Sequence, residues 1–287
     1  MPQRSETVKI VRKNKDVVLT GREYGKQQTD RATVFLAGWA MRGDSGAFRR
    51  IGQEIRAMRP DDRVFTLATR SGRKGRFADK THSLTEFLAE EGVREVTLMG
   101  YSEGATKAIS AAMEIQNAGM VIDGIVLSSP LGLHDRKFLT PSLLGAMFFA
   151  IPVDTVGHIL KHPKDWRAFF SALVAGLAVF RGVGEEVLDQ KRKYIPQLRR
   201  DVREMSQKNP ERDALDVLVV VIAGEKDTVA RRNSLQKSVD EMRENGAPIK
   251  MLTAEKLSSH GLPFLRPRTF VRSALGSLDR MKREKGK

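Results

Sequence analysis

Three residue types that together support nucleophilic catalysis occur far apart in the chain, in the order serine, aspartate, histidine. Ser102 lies in the pentapeptide Gly-Tyr-Ser-Glu-Gly, Asp227 follows the apolar run 217–222, and His260 is flanked by Ser259 and Gly261. A serine hydroxyl is a weak nucleophile at neutral pH unless a base removes its proton and an acid orients that base. The order predicts Ser102 as nucleophile, His260 as base and Asp227 as the orienting acid.

The sequence around Ser102 indicates a sharp turn between a strand and a helix. A short run typical of a buried strand, Val-Thr-Leu-Met at 96–99, precedes the pentapeptide, and a run with helical periodicity, 105–117, follows it. Such a turn needs glycine at 100 and 104, because side chains there would collide with the neighbouring strand and helix. The hydroxyl of Ser102 would then lie at a helix N-terminus, where negative charge is favoured.

An acyl-transfer site also needs donors for the oxyanion of the tetrahedral intermediate. We expect one from the backbone N–H of Glu103 and one from Trp39, in the loop after the strand 32–37. The carboxylate of Glu103 is expected to point to solvent, with an effect on the basicity of His260 as the alternative.

Strand and helix patterns alternate along most of the chain. The predicted strands are 17–20, 32–37, 63–67, 96–99, 124–128, 217–222 and 250–254, and the predicted helices are 48–58, 79–91, 105–117, 229–245 and 268–282. This alternation is typical of an α/β protein with a parallel sheet and right-handed crossovers. The three catalytic candidates would then share the C-terminal edge of the sheet, where such folds bind their ligands.

The alternation stops for about eighty residues. We therefore predict an α/β core formed by 1–131 and 217–287, with a helical lid inserted at 132–216. Two lid segments, 143–151 and 169–177, are very apolar. They could line an acyl pocket, pack on each other and on the rim of the sheet, or dip into a membrane surface. The first interpretation favours an apolar, lipid-like or aromatic ester as substrate.

Together these motifs resemble the α/β-hydrolase superfamily. The resemblance rests on the strand and loop 36–39, the elbow 100–104, the acid turn 224–227 and the turn 259–261, and it covers the core but not the insertion. It implies an eight-stranded, mostly parallel sheet, a lid after the sixth strand, and hydrolysis of an ester, thioester or amide through an acyl-enzyme. Many members have His-Gly where this chain has Ala37-Gly38, and glycine where it has Ala105.

Other residues compete for these roles. Asp123, Asp135 and Glu225 are alternative acids, and Asp135 resembles the placement of the acid in some members of the superfamily. His134, beside it, is interpreted as a lid-hinge residue.

Metal and cofactor chemistry is not predicted. His158 and His162 have the spacing of metal ligands on a helix, but no third ligand accompanies them and Pro163 follows at once. The chain has no cysteine, which excludes thiolate ligands and a cysteine nucleophile.

The net charge of +15 would attract anionic partners. A basic cluster near the expected site is interpreted as a solvated loop, with binding of a substrate phosphate or carboxylate as the alternative; it comprises Arg70, Arg73, Lys74 and Arg76. No nucleic-acid-binding signature is present, so the charge leaves peripheral contact with an anionic membrane as a candidate.

The first sixteen residues are polar and no apolar run reaches the roughly 20 residues of a bilayer span, which predicts a cytoplasmic protein. The sequence does not predict an oligomeric state.

The sequence thus predicts a serine hydrolase that cleaves a small-molecule carboxylic ester, with a thioester or lipid-like ester as variants. An acyltransferase or a C–C bond hydrolase would use the same triad, and a non-catalytic binding module would use the same fold.

Overall fold

The computed structural model of the protein describes residues 7–14, 17–25, 28–38, 43–44, 46–71, 76–130, 216–224, 227, 232–254 and 262–286. Nearly all of the predicted lid, 132–215, lies outside these ranges, so the lid and the domain boundaries stay predictions. Within the described ranges, no helix combines the length and the apolar character needed to cross a bilayer.

Eight strands of the described residues form one mostly parallel sheet. They are β1 Thr7–Asn14, β2 Val17–Tyr24, β3 Arg31–Leu36, β4 Arg63–Ser71, β5 Glu95–Tyr101, β6 Val121–Ser128, β7 Val219–Gly224 and β8 Ile249–Ala254. Their order across the sheet is β1-β2-β4-β3-β5-β6-β7-β8, and only the β1–β2 and β2–β4 pairs are antiparallel. The expected fold class is confirmed for the core.

Helices cover both faces of this sheet. They are α1 Gly46–Met58, α2 Phe77–Glu90, α3 Glu103–Asn117, α4 Arg232–Glu244, α5 Leu262–Leu265 and α6 Pro267–Lys285. Side chains alternate along each strand, so β4 sends Phe65 and Leu67 to the face that packs on α2 and α3, and Val64 and Ala68 to the opposite face. The sheet is therefore buried on both sides, which explains its continuous apolar runs.

Strand β1 has no counterpart in the sequence prediction, and β2, β4 and β6 are longer than predicted. Residues 7–14 form β1, an edge strand that pairs with β2 and carries exposed Lys9 and Lys13. Charged residues of this kind are common on edge strands, and they interrupt the apolar pattern from which strands are predicted. Strand β2 continues through Gly21 instead of ending there. A Cβ at Gly21 would lie only 3.3 Å from the Cα of Leu67 on β4, so this glycine permits close strand pairing and does not break the strand.

Candidate active site

The turn between β5 and α3 holds Ser102 in a strained backbone conformation. Its φ of 56° and ψ of −121° lie outside the regions that serine prefers, and the side chain is buried. The amide of Ser102 donates a hydrogen bond to the carbonyl of Ser128 on β6, 2.9 Å away. Such strain persists only where surrounding contacts impose it, and it is concentrated at functional sites.

Glycines surround this turn because backbone atoms pass very close to it. A Cβ at Gly100 would lie 2.5 Å from the Cα of Ala105, and one at Gly104 would lie 2.5 Å from the carbonyl oxygen of Ala37. The second distance shows that the start of α3 is pressed against the end of β3. A third glycine, Gly38, would place a Cβ 3.3 Å from the Cβ of Ser102. The loop after β3 therefore begins directly beside Ser102.

Both described ends of that loop are anchored to β4. The amide of Ala37 donates to the carbonyl of Leu67 at 2.8 Å, and the carbonyl of Gly43 accepts a hydrogen bond from the Thr66 hydroxyl at 2.9 Å. Trp39, the predicted second oxyanion donor, lies outside the described residues.

The side chain of Glu103 does not point to solvent, so that expectation is wrong. Its side chain is 3% exposed, with one carboxylate oxygen 3.0 Å from Nζ of Lys80 on α2 and the other 3.1 Å from Nζ of Lys107 on α3. Burial alone would raise the pKa of Glu103, but the charges of Lys107 and Lys80 outweigh burial and hold the pKa below its ordinary value. The carboxylate is therefore ionised.

The two lysines were missed as partners of Glu103. The spacing of Lys107, four residues after Glu103 on one helix, is a signal that sequence alone carries. Lys80 belongs to another helix and no local pattern connects it with Glu103. Both ammonium groups were missed because long charged side chains are normally assigned to the surface.

Asp227 lies at the same edge of the sheet as Ser102. It follows β7, its amide donates to the carbonyl of Gly224 at 3.2 Å, and it is 5% exposed. Burial raises the pKa of Tyr101 well above its ordinary value, and the negative charge of Asp227 raises it further. Because β5, β6 and β7 are parallel, Ser102 and Asp227, which follow β5 and β7, lie at the same edge of the sheet.

His260 also lies outside the described residues, but the chain just after it is described. Phe264 on α5 packs edge-on against Tyr101, with ring centroids 5.0 Å apart and planes at 90°. The segment that follows His260 is thus held against the residue that precedes Ser102.

Among the competing acids, Asp123 is at the wrong end of the sheet. It lies near the start of β6, where its carboxylate accepts a hydrogen bond from the Thr97 hydroxyl at 2.7 Å and contacts Lys282. Within the basic cluster, Arg70 is half-buried and Arg76 is exposed. The remaining competing residues lie outside the described ranges, and these are Asp135, Glu225, His134, His158, His162, Arg73 and Lys74.

The end of β6 adds two serines that the sequence did not single out. Ser128 and Ser129 are buried, and neither hydroxyl has a hydrogen-bond partner within the described part of the chain. Ser129 also has a positive φ of 46°. Their position beside the Ser102 turn adds polar groups to the same edge of the sheet.

No group of three or more histidine, aspartate or glutamate side chains that could hold a metal ion occurs among the residues that the structure covers.

Sheet order, the strained serine after β5 and the acid after β7 together define an α/β-hydrolase fold, and solved structures share it. A membrane phospholipase A that is a bacterial virulence factor superposes with a TM-score of 0.66, at 14% identity, over 96% of this chain and 87% of its own. The thioesterase domain of the curacin biosynthetic pathway gives a TM-score of 0.60 at 13% identity, over 94% of this chain and 99% of its own.

An esterase of Pyrococcus furiosus gives a TM-score of 0.57 at 14% identity, over 96% of this chain and 90% of its own. No protein-family model and no curated protein sequence matches the chain. The similarity to these proteins therefore lies in the fold.

Proposed function

We propose that the protein is a serine hydrolase that cleaves a carboxylic ester through an acyl-enzyme formed on Ser102. The observation that carries this proposal is the strained, buried conformation of Ser102 at the start of α3, with buried Asp227 at the same edge of the sheet. Backbone strain of this kind is concentrated at functional sites, which favours catalysis over a non-catalytic module. The neighbouring structures include a phospholipase A, a thioesterase domain and an esterase, which favours an acyl ester or thioester as substrate.

The proposed reaction has two steps. The Ser102 hydroxyl attacks the substrate carbonyl while His260 accepts its proton, and the Asp227 carboxylate stabilises the resulting imidazolium. Backbone N–H groups of Trp39 and Glu103 bind the oxyanion of the tetrahedral intermediate. His260 then protonates the leaving alkoxide, and water repeats the sequence on the acyl-enzyme to release the acid and free Ser102.

Hydrolysis of p-nitrophenyl esters of increasing acyl length tests the proposal. We expect turnover by the wild type and a loss of at least about 10³-fold in kcat in Ser102→Ala, Asp227→Asn and His260→Gln. The matched control is Ser238→Ala, which makes the same change on α4 and should retain wild-type turnover.

A fluorophosphonate probe makes the test independent of the choice of ester. Peptide mapping should find the label on Ser102 alone in the wild type and no label in Ser102→Ala. Folded wild-type protein that neither turns over any ester nor reacts with the probe would contradict the proposal and favour a binding module. Acyl transfer to added alcohols or amines in preference to water would replace hydrolysis by acyltransfer on the same residues.

A further inference from the structure

A buried cluster of three charged side chains adjoins the Ser102 turn, and the proposed reaction does not use it. Lys80 on α2 and Lys107 on α3 each bind a different oxygen of the Glu103 carboxylate, at 3.0 Å and 3.1 Å. The ammonium group of Lys107 also donates to the carbonyl of Thr69, near the end of β4, at 3.1 Å. None of the three charged side chains is more than 5% exposed.

Stability alone is a poor explanation for such a cluster. Removing ions from water costs several kcal/mol for each ion, and a well-packed apolar set of similar volume is often as stable. A buried, fully paired set does restrict geometry, because breaking any one pair leaves an uncompensated charge.

The residue at the centre of the cluster, Glu103, is the one that follows Ser102. Both oxygens of Glu103 are engaged, one by α2 and one by the next turn of α3, so its side chain is fixed at two points. Through Lys107, the same set reaches the end of β4, the strand that anchors the loop after β3. Because Glu103 is the first residue of α3, tying its carboxylate to α2 and to the next turn of α3 restricts where its Cα, and the amide attached to it, can lie.

We propose that Lys80, Glu103 and Lys107 act as positioning residues that hold the Glu103 N–H in the orientation required to bind the oxyanion. This inference rests on the proposed function, because it assigns the cluster a task in that reaction. It predicts an effect on the transition state that exceeds any effect on substrate binding. Misalignment of a preorganised donor costs transition-state stabilisation without altering the pocket that binds the acyl chain.

The test compares kcat and KM of Glu103→Gln and Lys80→Met with those of the wild type. The concentration of active sites in each sample is measured by complete reaction with the fluorophosphonate. Removal of a whole oxyanion donor costs about 10²–10³-fold in kcat, so we expect misalignment to lower kcat by about 10- to 100-fold. KM should stay within about twofold, because the contacts that bind the substrate equally in the ground state and the transition state are unaffected. The inhibition constant of an alkyl trifluoromethyl ketone, which forms an oxyanion on Ser102, should rise by the same factor as kcat falls.

Glu23→Gln is the matched control. Glu23 accepts a hydrogen bond from Nε of Arg63 at 2.8 Å in another partly buried ion pair, at the end of β4 remote from Ser102. This variant should lose stability but keep kcat and the affinity for the ketone.

The outcomes separate the two proposals. If the wild type turns over esters and Glu103→Gln and Lys80→Met keep kcat and ketone affinity, the cluster is structural only and the positioning role is overturned. If KM rises while kcat stays unchanged, the cluster shapes the substrate pocket, which also overturns it. If the wild type itself fails to react with esters and with the probe, it is the proposed function that fails.

Discussion

Ser102 keeps a backbone conformation that costs a non-glycine residue on the order of 1–3 kcal/mol. The surrounding structure imposes it: its amide is bound to Ser128, and the glycines at 100 and 104 let the helix and strand close around it. The strain is therefore supported by packing that begins two residues on either side of the serine.

Replacing Gly104 by alanine should disrupt this packing. The added methyl would meet the carbonyl oxygen of Ala37 at 2.5 Å, and backbone atoms cannot move aside as a flexible side chain can. We expect Gly104→Ala to lower the free energy of unfolding by about 3 kcal/mol or more and to abolish probe labelling of Ser102. Urea unfolding followed by circular dichroism, with labelling in parallel, measures both effects.

The same substitution on α6 should have the opposite sign. A Cβ at Gly276 would meet no atom within 4 Å, and alanine is the better helix former by about 1 kcal/mol. Gly276→Ala should therefore stabilise the protein slightly and leave labelling unchanged. Equal stability of the two variants would contradict the contacts described around Gly104.

Strand β6 combines two roles at its two ends. Its C-terminal end supplies the carbonyl of Ser128 to the Ser102 turn, while near its start Asp123 contacts Thr97 on β5 and Lys282 on α6. The ion pair of Asp123 and the Ser102 turn are thus at opposite ends of one strand, so a change at its beginning should leave the candidate site intact.

Asp123→Asn should make stability less dependent on pH at acid values. Burial favours a higher pKa for Asp123, but hydrogen bonds from Lys282 and Thr97 lower the pKa below its ordinary value. A carboxyl with a lowered folded-state pKa contributes stability above the unfolded pKa of about 3.9 and loses it as the pH falls through the folded pKa. At pH 7 the free energy of unfolding of the wild type should exceed that of Asp123→Asn by about 1 kcal/mol, a value reduced because Asp123 is partly exposed.

That difference should shrink as the pH falls below about 4, and kcat per active site should be unchanged. Urea unfolding between pH 7 and pH 3 measures the first quantity and ester hydrolysis the second. A difference that persists undiminished at the lowest pH would contradict the ionised state of Asp123.

At the scale of the whole molecule, the chain has 50 basic and 35 acidic side chains, which leaves a net charge of +15. We propose peripheral attraction to anionic surfaces as its consequence, because a field of this size concentrates negative partners without any specific contact. Sedimentation with phosphatidylglycerol vesicles should exceed sedimentation with phosphatidylcholine vesicles. It should disappear in about 1 M salt, where the screening length is about 3 Å.

Retention that survives this salt concentration would contradict a purely electrostatic attraction. It would favour insertion of apolar lid segments, 143–151 or 169–177, into the membrane. Equal sedimentation with both lipids at low salt would remove the proposal.

Much of the core was predictable because its determinants are local. Helix α1 and strands β3, β5 and β7 follow apolar periodicity within short windows, and the bounds differ from prediction by a few residues. Strand β1 escaped prediction because an edge strand has few buried positions and carries charges. The short helix α5 escaped because four residues carry no usable period.

The sequence by itself determined the α/β alternation and the candidate nucleophile, acid and base, because short-range periodicity and residue order encode them. Only the tertiary structure decided that Glu103 is buried between Lys80 and Lys107, and that Asp123 lies away from the edge of the sheet that carries Ser102. The sequence does not distinguish a charged side chain that faces water from one that is buried against an opposite charge. Their environment depends on which helices the sheet brings together, and residues 23 positions apart, such as Lys80 and Glu103, meet only after folding.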